Sequence, residues 1–229
     1  MRRDVQPEIL DRLAPDDPKA LRSRRDLRRV NAFMGNPGLI ARALGRSRSP
    51  RRHLVELGAG DGSVLLRVAK RLGPLHGRVR AVLVDAQPSV SAETLALFRT
   101  LGWDVEVRPS DVFDWLLRPK AEIADVTVAN LFLHHFRDPE LATLLAGVSR
   151  QSRRFIACEP MRSRTALTGA SLLIFIGCNA VTRHDAAVSV RAGFRSQELS
   201  ALWPNESGWQ LHEHRGGLFS HVFEAYREG

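Results

Sequence analysis

Glu56-Leu57-Gly58-Ala59-Gly60-Asp61-Gly62-Ser63 decides how this chain folds. It closes a short β-prone run, His53-Leu54-Val55-Glu56-Leu57, and opens a stretch from Ser63 to Leu72 whose apolar residues recur at helical spacing. A glycine turn between strand and helix presents bare backbone at a helix N-terminus, where a ligand can rest on the main chain. The spacing differs from the Gly-x-Gly-x-x-Gly of dinucleotide sites, because Gly62 comes one position early and Ser63 follows it. A turn that binds nothing satisfies the same pattern, so its meaning depends on its surroundings.

Outward from the turn, strand and helix patterns alternate. Strands are predicted at Val79–Val84, ending on Asp85, then at Val105–Val107, Asp125–Asn130 and Arg154–Cys158; helices at Ser89–Leu101 and Pro139–Ser149. Such alternation builds a mostly parallel α/β sheet with helices on both faces. The end differs: Trp209–His214 and Ser220–Tyr226, joined through Arg215-Gly216-Gly217, read as an antiparallel hairpin. Toward the N-terminus, helices are predicted over residues 7–14 and 19–34. In the second, Leu27, Val30 and Met34 form the inner stripe, and Arg24, Arg25, Arg28 and Arg29 lie largely on the outer face. Gly35-Asn36-Pro37-Gly38 stops it, a shorter helix runs to about Leu44, and Arg46-Ser47-Arg48-Ser49-Pro50 makes a polar linker. The expected organisation is a helical cap over residues 1–50 and a domain over 51–229. Within that domain, about 160–195 is a capping insertion, since an ordinary crossover loop takes only ~2–6 residues.

The 229 residues are 44% hydrophobic, enough for a sizeable core, and carry a formal charge of +9. That charge is uneven: residues 1–52 hold 14 Lys/Arg against 6 Asp/Glu, and residues 53–229 hold 20 against 19. An arginine cluster suits phosphates, but no aromatic residues interleave with it for base stacking, so nucleic acid is an unlikely partner. Cys158 and Cys178 give neither a disulfide framework nor zinc spacing, and no metal is expected. No signal peptide is visible, and the longest apolar stretch, Ala166–Val181, falls short of the ~18–20 residues of a spanning helix. A cytoplasmic protein is expected.

Acids follow the glycine turn at the carboxyl edge of the sheet, where open α/β sheets bind ligands. Asp85 ends the second strand beside the glycines, and its carboxylate can accept both hydroxyls of a ribose. Asp111, in Pro109-Ser110-Asp111-Val112-Phe113-Asp114-Trp115, can accept from an adenine amino group; it also suits the N-cap of the helix that follows, and both can hold. This series, Glu56 to Gly62, then Asp85, then Ser110-Asp111-Val112-Phe113, resembles the first three motifs of class I S-adenosylmethionine-dependent methyltransferases over residues 53–229. The resemblance implies a Rossmann-like, seven-stranded sheet with a C-terminal antiparallel hairpin, binding S-adenosylmethionine and releasing S-adenosylhomocysteine. It gives the methionine part to the backbone of Gly58, Ala59, Gly60 and Gly62 with Glu56 in support, the ribose to Asp85 with Ala86 next to it, and the adenine to Asp111 and Val112, with Asn130 at the same edge.

The acceptor should lie over the ends of strands one, four and five. Asn130-Leu131-Phe132-Leu133-His134-His135-Phe136 follows strand four, and a histidine there can take a proton from a hydroxyl. Adjacent residues on an extended chain point apart, so one of His134 and His135 is expected to face the acceptor, with His134 favoured; ordinary histidine packing is the alternative. Nucleic-acid amino-methyltransferases typically place Asn or Asp before Pro-Pro and an aromatic residue here, and this chain does not. Glu159 can orient an acceptor or pair with Arg162. In the insertion, Leu167–Ile176 suits an apolar wall, Asn179, Arg183 and His184 can meet acceptor oxygens, and His184-Asp185 can pair as base and orienting acid. The full pattern, with Arg22-Ser23-Arg24-Arg25-Asp26-Leu27 and Asn31, is similar to bacterial methyltransferases of polyketide-type phenol pathways. It implies O-methylation of a small apolar or aromatic acceptor. C-methylation of a quinone-like ring and RNA modification through the basic N-terminal segment are the alternatives, and monomer and homodimer both remain open.

Overall fold

The chain is described by a computed structural model over residues 1–14, 16–46, 52–73, 78–118 and 122–227. Ser47–Pro50 of the expected linker lie outside the described residues. Seven strands are found among the described residues: β1 His53–Leu57, β2 Val79–Asp85, β3 Trp103–Pro109, β4 Val126–Asn130, β5 Arg154–Pro160, β6 Trp209–Gly216 and β7 Ser220–Arg227. They form one sheet in the order β3-β2-β1-β4-β5-β7-β6. Neighbours from β3 to β5 are parallel, while β7 runs antiparallel to β5 and to β6. The expected parallel sheet with its terminal hairpin is what forms.

The helices are α1 Pro18–Met34, α2 Asn36–Gly45, α3 Ser63–Leu72, α4 Ala92–Thr100, α5 Val112–Leu117, α6 Asp138–Gln151, α7 Arg164–Leu172, α8 Ala180–Ala192 and α9 Glu198–Leu202. Alternating strand residues point to opposite faces, and each face is covered. Leu54, Leu83 and Ile156 meet Ile40 of α2, Leu65 of α3 and Phe98 of α4; Val55, Val84 and Phe155 meet Val112 of α5, Leu141 of α6 and Leu199 of α9. Burial on both faces explains the nearly unbroken apolar runs of β1, β4 and β5. α2, which the sequence groups with the N-terminal cap, belongs to the main core, since Ile40 and Leu44 are fully buried there.

Three elements differ from expectation for identifiable reasons. β3 is longer than Val105–Val107 because it is an edge strand: Trp103 is buried at its start, while Asp104, Glu106 and Arg108 break the apolar pattern. α4 begins at Ala92, capped by Ser91, whose hydroxyl accepts from the Thr94 N–H at 3.1 Å; Ser89 instead donates its N–H to the Gly60 carbonyl at 2.9 Å. The helix expected over residues 7–14 is reduced to a 3₁₀ turn, Leu10–Arg12. The Asp185 carboxylate takes the N–H groups of Ile9 and Leu10 at 2.9 and 3.0 Å, and the segment before them is not helical. Arg3 anchors that segment by donating to the Ala192 and Phe136 carbonyls and to Asp138. The insertion is a pair of helices, α7 and α8, and α1 lies against α8.

Candidate functional site

A cleft of about 1380 Å³ opens at the carboxyl edge of the sheet. Its floor is the glycine turn and the segment after β4; α1, α7 and α8 roof it. This exceeds the ~300–1,000 Å³ of a pocket for one small ligand, so two molecules can occupy it together.

The turn half of the cleft is built from backbone. Gly58, Gly60 and Gly62 all have positive φ, at 68°, 54° and 70°. A Cβ on Gly60 would meet nothing within 4 Å, because that face opens into the cleft; a Cβ on Gly58 would come within 2.3 Å of the Phe132 ring. Gly58, Ala59 and Gly60 line the cleft, and Gly62 caps α3 behind them. Asp85 fixes this loop: its Oδ2 accepts from the Gly60 N–H and its Oδ1 from the Gln87 N–H, both at 2.8 Å. A carboxylate has about four acceptor positions, so roughly half of its capacity is left for a ribose. Asp111 caps α5 through one oxygen, Oδ1, which accepts from Phe113 and Asp114, leaving Oδ2 for an adenine amino group. Val112 is buried beneath it and Ala86 is exposed. Glu56 is buried, its Oε2 has no protein partner, and its pKa is pushed well above the usual carboxylate range by burial and by the charges of Asp61 and Asp85. An open glycine face, half-committed acids and an orphaned buried oxygen fit an adenosyl cofactor carrying a cationic amino-acid tail. Gln87, Pro88 and Ser89 also line this half; their only signal in the sequence is that they directly follow Asp85.

The other half is built from side chains. Leu131, at φ 51°, is a bulky residue in the left-handed region. It turns the chain after β4 into a 3₁₀ turn, Leu133–His135. That turn overrules the expectation that the two histidines diverge as on an extended chain: their rings lie 4.3 Å apart at 32°. Glu159, fully buried, holds the turn from below. It accepts from the N–H groups of Phe132, Leu133 and His134 at 3.0, 2.9 and 3.3 Å, and from His134 Nδ1 at 2.8 Å. On the opposite side, Glu8 Oε1 lies 3.6 Å from His134 Nε2 and accepts from the Ser189 hydroxyl. Burial alone would lower the His134 pKa, but Glu159 and Glu8 outweigh it and raise it to about 9. His135 is accessible from the cleft, yet enclosure by its walls and the neighbouring charge of His134 lower its pKa to about 4. Glu8, far from the pair in sequence, carries no motif that could have announced it.

Several expected acceptor contacts lie elsewhere. Glu159 neither reaches the cleft nor pairs with Arg162, which binds Glu198 and the Gly193 carbonyl instead. Asn179 caps α8 through Thr182 and donates to the Lys19 carbonyl at 3.0 Å. Arg183 and His184 do not line the cleft. The expected His184–Asp185 pair does form, with Nδ1 3.1 Å from Oδ1, but it stands away from the cleft, and Asp185 also accepts from the backbone of Ile9 and Leu10. The reason is a polar seam between α1 and α8, in which Ser23 meets Thr182 at 2.8 Å and Asp26 accepts from the Asn179 N–H at 2.9 Å. Seating α1 on that seam turns Arg24, Arg25 and Arg28 over the cleft rather than outward, with Arg28 3.6 Å from Asp61. The walls are Leu10, Ala166, Ala170, Leu173, Val190 and Phe219, and Asn130 lines the cleft where the two halves meet. Asn130 accepts from Asn36 at 2.8 Å, and Asn36 accepts from Ser220 at 2.5 Å. Among the described residues, no helix is long and apolar enough to cross a membrane.

Residues 54–154 match the family model described as a methyltransferase domain. No curated protein sequence matches the chain. The fold is similar to that of the mitomycin 7-O-methyltransferase MmcR (22% identity, TM-score 0.62, covering 96% of this chain and 60% of that one). It is also similar to the N,N-8-amino-8-demethyl-D-riboflavin dimethyltransferase RosA from Streptomyces davawensis (20%, 0.62, 97% and 62%). A third likeness is to the plantazolicin methyltransferase BpumL in complex with SAH (12%, 0.66, 93% and 92%). The chain spans about three fifths of the length of the first and second of these, and nearly all of the third.

Proposed function

We propose that this chain, whose residues 54–154 match a methyltransferase domain, is a class I, Rossmann-like methyltransferase that moves a methyl group from S-adenosylmethionine to the oxygen of a small apolar or aromatic acceptor. The observation that carries the reading is that the glycine turn and the histidine pair open onto one cleft, large enough for cofactor and acceptor together and walled by Leu10, Leu173, Val190 and Phe219.

The cofactor supplies an electrophilic methyl on a sulfonium, and the protein supplies position and a dry space. Gly58–Gly60 receive the amino-acid tail, Asp85 the ribose and Asp111 the adenine. Asn130 separates the two halves. The acceptor oxygen takes the methyl carbon as the carbon–sulfur bond breaks to leave the thioether, and its proton passes to His135, which its pKa of about 4 leaves neutral at pH 7; His134, raised to about 9 and held between Glu159 and Glu8, is not the base that the sequence favoured. α1 and the segment around Glu8 close the roof and exclude water. The arginines of α1 belong to this cleft, which supports an anionic group inside it over a nucleic-acid strand outside it. Among the proteins of similar fold, one is an O-methyltransferase and another an N,N-dimethyltransferase, so the acceptor atom is the part to test. Incubation with methyl-labelled cofactor and a panel of phenols, quinones and aryl amines, read by mass spectrometry, makes that test. O-methylated phenols support the reading, and methylation of carbon or nitrogen alone overturns its choice of atom.

A further inference from the structure

Glu8, His134 and His135 come together at the acceptor end of the cleft, although Glu8 belongs to the N-terminal segment and the histidines to the turn after β4. One ligand atom from each lies within 4.8 Å of the other two. Glu8 Oε1 is already 3.6 Å from His134 Nε2. Ligands on one tetrahedral zinc ion, with bonds of ~2.0–2.2 Å, sit roughly 3.3 Å apart, so modest side-chain rotations of His135 and Glu8 close the set.

The surroundings are those of a metal ligand rather than of three unrelated side chains. A histidine that ligates through one ring nitrogen characteristically donates its other N–H to a carboxylate or carbonyl, which fixes the tautomer and the ring. His134 does this, with Nδ1 2.8 Å from the fully buried Glu159, leaving Nε2 directed at Glu8. Glu159 is itself held by three backbone N–H groups, so the ring cannot swing away. Glu8 is oriented by Ser189, and the backbone beside it by Asp185. His135 is reached from the cleft, so the fourth position of the set faces the space assigned to the acceptor.

We propose that Glu8, His134 and His135 form a binding site for one divalent ion of the zinc class, oriented by Glu159 and Ser189 and open toward the cleft. Two imidazoles and one carboxylate favour borderline ions such as zinc or cobalt over magnesium or calcium, which prefer all-oxygen sites. The ion joins the N-terminal segment to the cleft floor. Only the role of its open position rests on the reading of the cleft as a methyltransferase site: there an acceptor hydroxyl binds with its pKa lowered, so that its proton leaves to solvent before the cleft closes and the ion takes the place of His135 as base.

The test uses the full chain, freed of metal with a chelator and carrying no affinity tag. Titration with cobalt, followed by its visible absorption and by equilibrium dialysis, is expected to load one ion per chain that zinc displaces. His135→Gln, at a position accessible from the cleft where folding is least at risk, and Glu8→Gln each weaken uptake at least about tenfold. Glu159→Gln, which acts through the His134 ring and the turn that carries it, weakens it by about 10–100-fold. No uptake by the wild-type chain, or equal uptake by it and by His135→Gln and Glu8→Gln, overturns the proposal. Titration of the same samples with S-adenosylhomocysteine separates the two readings: metal uptake without nucleoside binding leaves the metal site standing and removes the methyltransferase reading, and the reverse result does the opposite.

Discussion

The two halves of the cleft are made by different means. The cofactor half is a continuous piece of chain geometry, in which three glycines with positive φ, a carboxylate at the end of β2 and a helix cap all follow directly from the strand–helix alternation. The acceptor half is an assembly. Its histidines are seated by Glu159 from β5, faced by Glu8 from the N-terminus and roofed by α1, α7 and α8. Backbone sites rest on a rigid sheet and tolerate little change. Sites assembled from side chains sit on elements joined by a few polar contacts, and they can be altered without unfolding the domain.

Asp85→Ala should break the first half most severely. It removes one anchor of the glycine turn and the proposed acceptor for two ribose hydroxyls, and hydrogen bonds to charged groups contribute ~1.5–3 kcal/mol each. Calorimetry should show about 100-fold weaker binding of S-adenosylhomocysteine; an unchanged affinity removes the ribose assignment.

A pair of glycine substitutions sharpens the contrast. Gly58→Ala drives a Cβ to 2.3 Å from Phe132 at a φ of 68°, which should destabilise the chain by roughly 2 kcal/mol in denaturant unfolding. Gly169→Ala also meets a ring, with Phe219 Cε1 2.6 Å away, but that ring stands at the edge of the cleft and can turn aside. The substitution also gains helix propensity of about 1 kcal/mol within α7. Its stability should hold or rise while KM for the acceptor changes. Equal losses at both positions would erase the distinction between the halves.

The smallest effect concerns pH. The raised pKa of Glu56 means that the folded state holds its proton more tightly than the unfolded chain does. Its contribution to stability therefore falls as pH rises above the usual carboxylate value of about 4.5 toward the raised one. Glu56→Gln should accordingly raise Tm by more at pH 8 than at pH 5 in the absence of cofactor. A gain that is equal at both, or larger at pH 5, contradicts the assignment.

The same contrast governs what the sequence could reveal. The places of Asp85, Asp111 and the glycines in the fold were legible because local geometry carries them: a strand end, a helix cap and a turn are all marked by residue type. The parallel sheet and its hairpin followed from the same periodicity, whereas the order of the strands did not, since periodicity marks a strand without naming its neighbours. Glu8 was not legible, because the backbone that carries it is held by Asp185, a contact between the N-terminal segment and α8 that leaves no pattern in either stretch. Asn179, Arg183 and His184 were misplaced for a related reason. Periodicity orients a helix by its apolar stripe, but α1 and α8 meet along a seam of Ser23, Asp26, Asn179 and Thr182. Polar seams have no period, so the arginines expected outside face the cleft, Asn179 caps α8, and Arg183 and His184 stand on that helix away from the cleft.

Calorimetric titration of the wild-type chain with S-adenosylhomocysteine bears on the central claim most directly. One molecule bound per chain, in competition with S-adenosylmethionine, is the expected result. The absence of binding by either nucleoside to the folded protein contradicts the account.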